Sequence, residues 1–247
     1  MYFPSSAKKT HMKYWPILVC TGFDVTRAFN FLCVYLYSVK KLNSLKPVCV
    51  ITKPEMNIFV LNINAKKAAE AHGDKHVVKM ILEACQMLYT AHWTAVNPDL
   101  LKERSAIKIA KAHKALPVPT HMATAPKRKC ADEQGYRPVH LHHPCTIWVR
   151  ECLGNYMWAV ELALALAEEY EYRWPGRVHS CKAHAQWLKA NVPPGIPASE
   201  RNGFAIAMDE KYRVSGDPIA SYIQFYKGSK QDRNLTVYTR REKPGFL

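Results

Sequence analysis

Glycine is scarce in this chain, 10 among 247 residues, and its 16 prolines follow no period, which excludes a collagen-like repeat. Acidic residues are few as well, 20 against 35 Lys and Arg, and charged residues together make up only 22%. That composition excludes a coiled coil or a wholly disordered chain, while 48% hydrophobic residues suffice for one substantial core. Long hydrophobic runs are missing. The most apolar stretch, 14–39, is interrupted by Asp24, Arg27 and Asn30, and the segment 31–39 that follows is nine residues long. A spanning helix needs about 20, so no membrane anchor is expected there, and no small-residue cleavage site marks a signal peptide. The eight cysteines (Cys20, Cys33, Cys49, Cys85, Cys130, Cys145, Cys152 and Cys181) include no C-x-x-C pair, which excludes a zinc ribbon. Without a secretory signal they are expected to be reduced thiols, with Cys85 and Cys152 inside helices.

What the chain does have is positive charge. The formal net charge of +15 points to a polyanionic partner, nucleic acid ahead of an anionic membrane surface, because clustered cations release counterions from phosphates and steer association. Nine of these cations lie in 102–143, against Glu103, Asp132 and Glu133, and Pro117, Pro119, Pro126 and Pro138 interrupt regular structure there. This stretch reads as a basic loop or insert.

The remainder divides in two. Residues 1–55 read as an N-terminal extension outside the functional unit. Met56 opens a new pattern, Met-Asn-Ile-Phe-Val-Leu, expected to be a short buried strand or extended segment. Beyond it the periodicity is helical: 65–93, with Asn64 as cap and Gly73 weakening the first half; 146–174, apolar on one face through Trp148, Cys152, Tyr156, Ala159, Ala163, Leu166 and Tyr170; 182–191; and a helix after Asp217-Pro218. Residues 56–247 are therefore expected to form a single compact, mainly α domain with a short extended start.

The densest polar cluster on these helices is His72, Asp74, Lys75, His76, Lys79 and Glu83. Positions 72, 76, 79 and 83 follow helical steps and share one face, a stripe that would be costly in an apolar core and natural in a pocket or phosphate-facing groove. A solvated helix face is the plain alternative. His72 and His76 at i and i+4 also permit zinc chelation completed by Glu83, His140, His142, His143, His179 or His184, but the zincin Glu after the first His is missing. A second cluster, His142, His143, Pro144, Trp148, Arg150, Asn155, Tyr156 and Trp158, offers aromatic faces for base stacking, although Trp148 and Tyr156 fall on the apolar face, where core packing is the simpler role. Glu168, Glu169, Glu171 and Arg173 read as a solvated face with Arg173 pairing locally.

From residue 56 onward the chain resembles a group of proteins of tailed phages and large DNA viruses that open M-N-I-F-x-L and carry H-x-D-K-H-V-V-K-M. Here these are residues 56–61 and 72–80, and the likeness continues through His143-Pro144, Trp148, Asn155-Tyr156, Trp158, Glu169-Tyr170, Arg173, His179, Met208, Tyr212, Tyr222, Tyr226, Lys230 and Pro244. More distantly it resembles the small all-α pyrimidine-dimer DNA glycosylases of the phage endonuclease V type. These have D-x-H with a catalytic Glu nine residues after the Asp, similar to Asp74, His76 and Glu83, and an aromatic C-terminus similar to Tyr222, Phe225 and Tyr226. The resemblance implies a base-excision enzyme with AP-lyase activity, in which an N-terminal amine, here that of Met56, attacks C1′ and Glu83 stabilises the sugar cation. It implies Asp74 and His76 as further catalytic residues. His72, Lys75, Lys79, His143, Trp148, Asn155, Tyr156, Arg173 and Tyr226 are the expected nucleic-acid contacts. Leu82 stands beside Glu83 where that family carries arginine, leaving Lys75 and Lys79 as the nearest cations. The expected partner is double-stranded DNA, with no cofactor, no resident metal, no membrane and no obligate protein partner, in the cytoplasm, of a host cell if the chain is viral. A non-catalytic DNA-binding accessory protein and a metal-dependent nucleic-acid-modifying enzyme are the alternatives.

Overall fold

The computed structural model describes residues 57–102, 104–105, 108, 111, 114–128, 132–230 and 236–247. The chain divides into two units, 1–52 and 53–247. The first lies outside the described residues, as does Met56, so the expectations for them are not addressed by the architecture below.

The described residues form six α-helices: α1 (Ala65–Glu70), α2 (Asp74–Val96), α3 (Pro144–Glu151), α4 (Leu153–Arg173), α5 (Lys182–Ala190) and α6 (Pro218–Phe225). Three short 3-10 turns and a π turn over Tyr226–Lys230 complete them. No β-strand occurs among the described residues. Residues 57–61 are buried, as the run of apolar side chains predicts, but turn at Phe59 and pair with no second strand among the described residues.

Helix α4 is the hub, packing against α1, α2, α3 and α5. Its buried face repeats Ala159, Ala163 and Ala167 beside Leu162 and Leu166. Small side chains at helical spacing let α2 approach closely, and α2 answers with buried Val77, Ile81, Leu88 and Trp93. Each large apolar side chain enclosed this way contributes about 1.5–3 kcal/mol.

Two helices that periodicity predicts as continuous are broken, and in both places another segment takes the amides. Between α1 and α2, the Gly73 N–H donates to the Tyr226 hydroxyl at 2.7 Å and the Asp74 N–H to the Val237 carbonyl at 2.8 Å. The C-terminal segment thus replaces the helical acceptors, and α1 ends with Asn64 capping its start through the Lys67 N–H. Between α3 and α4, the Leu153 and Gly154 N–H groups donate to the carbonyls of Pro197 and Ser199 at 2.8 and 3.0 Å. Cys152 is extended there (φ −158°, ψ 163°), so it joins two helices rather than lying inside one. Asp217 caps α6 through the Ala220 N–H, with Pro218 in the first turn.

The basic stretch 102–143 is largely irregular where described, with a 3-10 turn at Thr120–Met122 and an isolated bridge between Lys127 and Gln134. Met122, Ala125 and Leu141 anchor it in the interior. At the end of α4 the expectation holds for exposed Glu168 and for the local pairing of Arg173 with Glu169, but not for the exposure of that pair. Glu169 and Arg173 are 3% and 1% exposed, not part of a solvated face. Arg173 donates to Glu169 (2.7 Å), to Asp74 (2.9 Å) and to the Glu70 carbonyl (3.1 Å), while Arg241 donates to Glu169 (2.8 Å) and Glu70 (3.4 Å). Burial pushes the Glu169 carboxyl up, but its bonds to Arg241 and Arg173 outweigh this and hold it below the usual range. This brace ties α1, α2, α4 and the C-terminal tail together.

Candidate active site

The candidate site forms where the extended segment meets α2. The Asn57 N–H donates to Glu83 Oε2 at 3.1 Å. Asn57 is held there by its own side chain: Oδ1 accepts from the Ile58 and Phe59 N–H groups, and Nδ2 donates to the Ala207 carbonyl at 2.8 Å. Phe59 takes a left-handed conformation (φ 35°), a costly one for a bulky residue, and this sets its ring against His76 (centroids 4.9 Å apart) and Phe225 (5.9 Å). The main chain immediately after Met56 is thereby fixed on the Glu83 carboxylate.

Glu83 itself is 7% exposed. Its second oxygen meets Lys79 Nζ at 2.9 Å, one helical turn earlier on α2. His76 is 6% exposed, and its Nδ1 lies 2.7 Å from the Tyr226 hydroxyl that accepts the Gly73 N–H. Behind them, burial pushes the Cys145 thiol up to about 12, with the Glu83 charge adding to the effect. His76, Lys79 and Glu83 therefore do share a face of α2, with the two acid–base groups enclosed and the ammonium at the rim. Lys75 is exposed one turn before Lys79.

The other expected site residues have different places. His72 lies in the break before α2 and is fully buried, so it joins no helical stripe. Its Nδ1–H donates to the Ala68 carbonyl at 2.6 Å, and burial pulls its pKa down to about 4. Nε2 has no hydrogen-bond partner among the described residues. The His72 and His76 rings are 6.4 Å apart and nearly perpendicular, and among the described residues no three His, Cys, Asp or Glu side chains converge as a metal-binding group. Asp74 opens α2, nine residues before Glu83, or about 13 Å along the helix axis. Its oxygens are taken by Arg173, the Thr239 N–H and the Thr239 hydroxyl at 2.9, 2.9 and 2.7 Å. These bonds hold the C-terminal tail, and none of them goes to Glu83 or His76.

Arg173 serves the same brace and is enclosed by it. Trp148, Asn155 and Tyr156 are buried too, each with a packing role in place of the expected nucleic-acid contact. Trp148 lies against Phe204 and Trp158 and donates to the Gly203 carbonyl at 2.8 Å. Asn155 bridges the α3–α4 break, donating to the Trp148 carbonyl and accepting from the Asn202 N–H. The Tyr156 hydroxyl joins His92 to the Leu188 and Asn191 carbonyls at the far end of α2. His143 caps α3, accepting the Cys145 N–H on Nδ1, and burial followed by the nearby His140 brings its pKa to about 4. Tyr226 is buried, with its hydroxyl on His76 Nδ1 and the Gly73 N–H.

Sequence reasoning missed the contribution of Asn57, of Cys145 and of the tail residues Thr239 and Arg241. Only Asn57 had a visible signal, an Asx side chain at the start of an apolar run. Comparison with protein-family models, with curated proteins and with solved structures gives no match.

Proposed function

We propose that residues 56–247 are a DNA base-excision enzyme of the glycosylase/AP-lyase type, with Glu83 as its catalytic carboxylate. The observation that carries this reading is the bond between the Asn57 main-chain nitrogen and Glu83 Oε2 (3.1 Å), which holds the chain next to Met56 on an enclosed carboxylate. A chain whose amine is free at Met56 then has a nucleophile one peptide unit away. The amine attacks C1′, the bond to the base breaks, and an imine forms on the ring-opened sugar. Glu83 stabilises positive charge on the sugar and accepts a proton during the elimination that cuts the strand. Lys79 and Lys75 are the phosphate contacts at the rim, and His76, held by Tyr226, faces the same centre.

The test uses protein beginning at Met56, incubated with abasic or ultraviolet-damaged duplex and reduced with borohydride. A covalent adduct mapping to the α-amine is expected. An adduct on Lys75 or Lys79 would move the nucleophile. Tight binding to duplex with no adduct on either substrate overturns the enzymatic reading and leaves a DNA-binding accessory protein.

A further inference from the structure

Two residues after Glu83, and so on the opposite side of α2, two cysteines from distant parts of the chain meet. Cys85, in the middle of α2, has its sulfur 3.8 Å from the Cys181 carbonyl. Cys181 stands immediately before α5, the nine-residue helix Lys182–Ala190, at the end where main-chain N–H groups favour negative charge. The Tyr136 hydroxyl lies 3.2 Å from Cys181 Sγ. The Cys181 N–H donates to His179 Nδ1 at 3.2 Å, which keeps that imidazole beside the sulfur.

The two thiols are driven apart in character by these contacts. The side-chain interaction with Cys85, followed by those with His179 and the Tyr136 hydroxyl, brings Cys181 down to about 4 against the opposing effect of burial. The same interaction, together with burial, pushes Cys85 well up. The two sulfurs are thus pushed in opposite directions, Cys181 towards the thiolate and Cys85 towards the thiol. Cys145 and Cys152, also free and buried, have no such set of donors: Cys145 is pushed up to about 12 by burial. Cys181 is 1% exposed, but residues 175–178 and 180, just before it, are exposed, with Val178 at 70% and Gly176 in a left-handed turn (φ 77°).

We infer that Cys181 and Cys85 form a peroxide-reactive dithiol, Cys181 as the attacking sulfur and Cys85 as the resolving thiol. The Cys181 thiolate attacks one oxygen of a hydroperoxide. An S–O bond forms, the O–O bond breaks, and the second oxygen leaves as hydroxide or alkoxide and takes a proton from water. The resulting sulfenic acid is then attacked by Cys85, whose proton leaves with the sulfenic oxygen as water while the S–S bond forms. Both sulfurs are oxidised by one electron each and the peroxide is the oxidant. The product is a covalent tie between α2 and the start of α5, independent of the chemistry proposed at Glu83.

The experiment treats the folded full chain with hydrogen peroxide, blocks remaining thiols, and maps peptides without reduction. A cross-linked pair containing Cys85 and Cys181, lighter by two hydrogens, is expected, with Cys181 consumed at least about tenfold faster than Cys145 or Cys152. In Cys85→Ser the cross-link disappears and Cys181 accumulates as sulfenic acid that dimedone captures. Oxidation of Cys181 at the same rate as Cys145 and Cys152 overturns the proposal, as does a wild-type product in which Cys181 is oxidised while Cys85 remains alkylatable. If Cys85→Ser fails to fold, the wild-type map alone decides.

Discussion

The Glu83 carboxylate is shared between a main-chain amide and an ammonium, and that division separates a catalytic from a structural role. In Glu83→Gln the side chain still accepts from Asn57 but loses its attraction for Lys79, a pair worth little because the Lys79 side chain is 55% exposed. We expect single-turnover excision to fall roughly 10²- to 10⁴-fold. The melting temperature should change little, and duplex affinity should hold or rise, since a carboxylate near phosphates is removed. Full excision by Glu83→Gln would remove the assignment. His72 provides a pH prediction of known sign. Its pKa falls from 6.5 to about 4 on folding, because burial disfavours the imidazolium. Between those values the unfolded chain binds a proton that the folded chain refuses, so stability is complete above pH 6.5 and declines as pH falls towards 4. The contribution is of the order of 3 kcal/mol. His72→Asn keeps an N–H for the Ala68 carbonyl without the titration, so urea denaturation at neutral and acid pH should show a shallower decline than wild type. An unchanged pH profile would refute the linkage.

Helix breaks decide much of the element scale. A Cβ added at Gly154 would lie 2.1 Å from the Arg201 nitrogen and 2.6 Å from the Glu200 carbonyl carbon, both main-chain atoms that cannot swing aside. Gly154→Ala is therefore expected to cost about 3 kcal/mol or more, read as a lowered denaturation midpoint, through displacement of the segment that takes the Leu153 and Gly154 amides. Gly203→Ala, with nothing within 4 Å of the added carbon, is the matched control and should be close to neutral. The cap at α1 is a smaller effect of known kind: Asn64→Ala removes the acceptor for the Lys67 N–H and should cost about 1 kcal/mol.

At the scale of the whole molecule, the net charge of +15 and the cations of 102–143 would make any binding to duplex DNA salt-dependent. Each phosphate neutralised adds a slope of about −0.9 in log K against log salt, so a fluorescence titration series should give a steep line if DNA is the partner. A flat line would count against any nucleic-acid role. Expression of residues 56–247 addresses the extension. The brace of Glu70, Asp74, Glu169, Arg173 and Arg241 and the core around α4 lie wholly within that segment. A soluble product with a cooperative melt is expected, and an insoluble or molten one would show that residues 1–55 complete the core.

The mainly α class, the placement of α5 and α6 and the buried start at 57–61 were legible in the sequence, because apolar period, caps and proline act over a few residues. So was the grouping of His76, Lys79 and Glu83, which follows from helix geometry alone. Gly73 marks the weak point of the first helix, but the break at Cys152 was not legible, and neither were the acceptors that complete both breaks, which lie more than 40 residues away along the chain. The same holds for polar side chains. Asp74, Asn155 and Arg173 have residue types suited to catalysis or recognition, and only the tertiary structure gives them to a tail, a helix joint and a buried brace. Local pattern determines which elements form. Which polar groups face solvent and which satisfy one another inside depends on segments that meet only after folding, because a buried hydrogen-bonding group takes the partner that the packed chain brings to it.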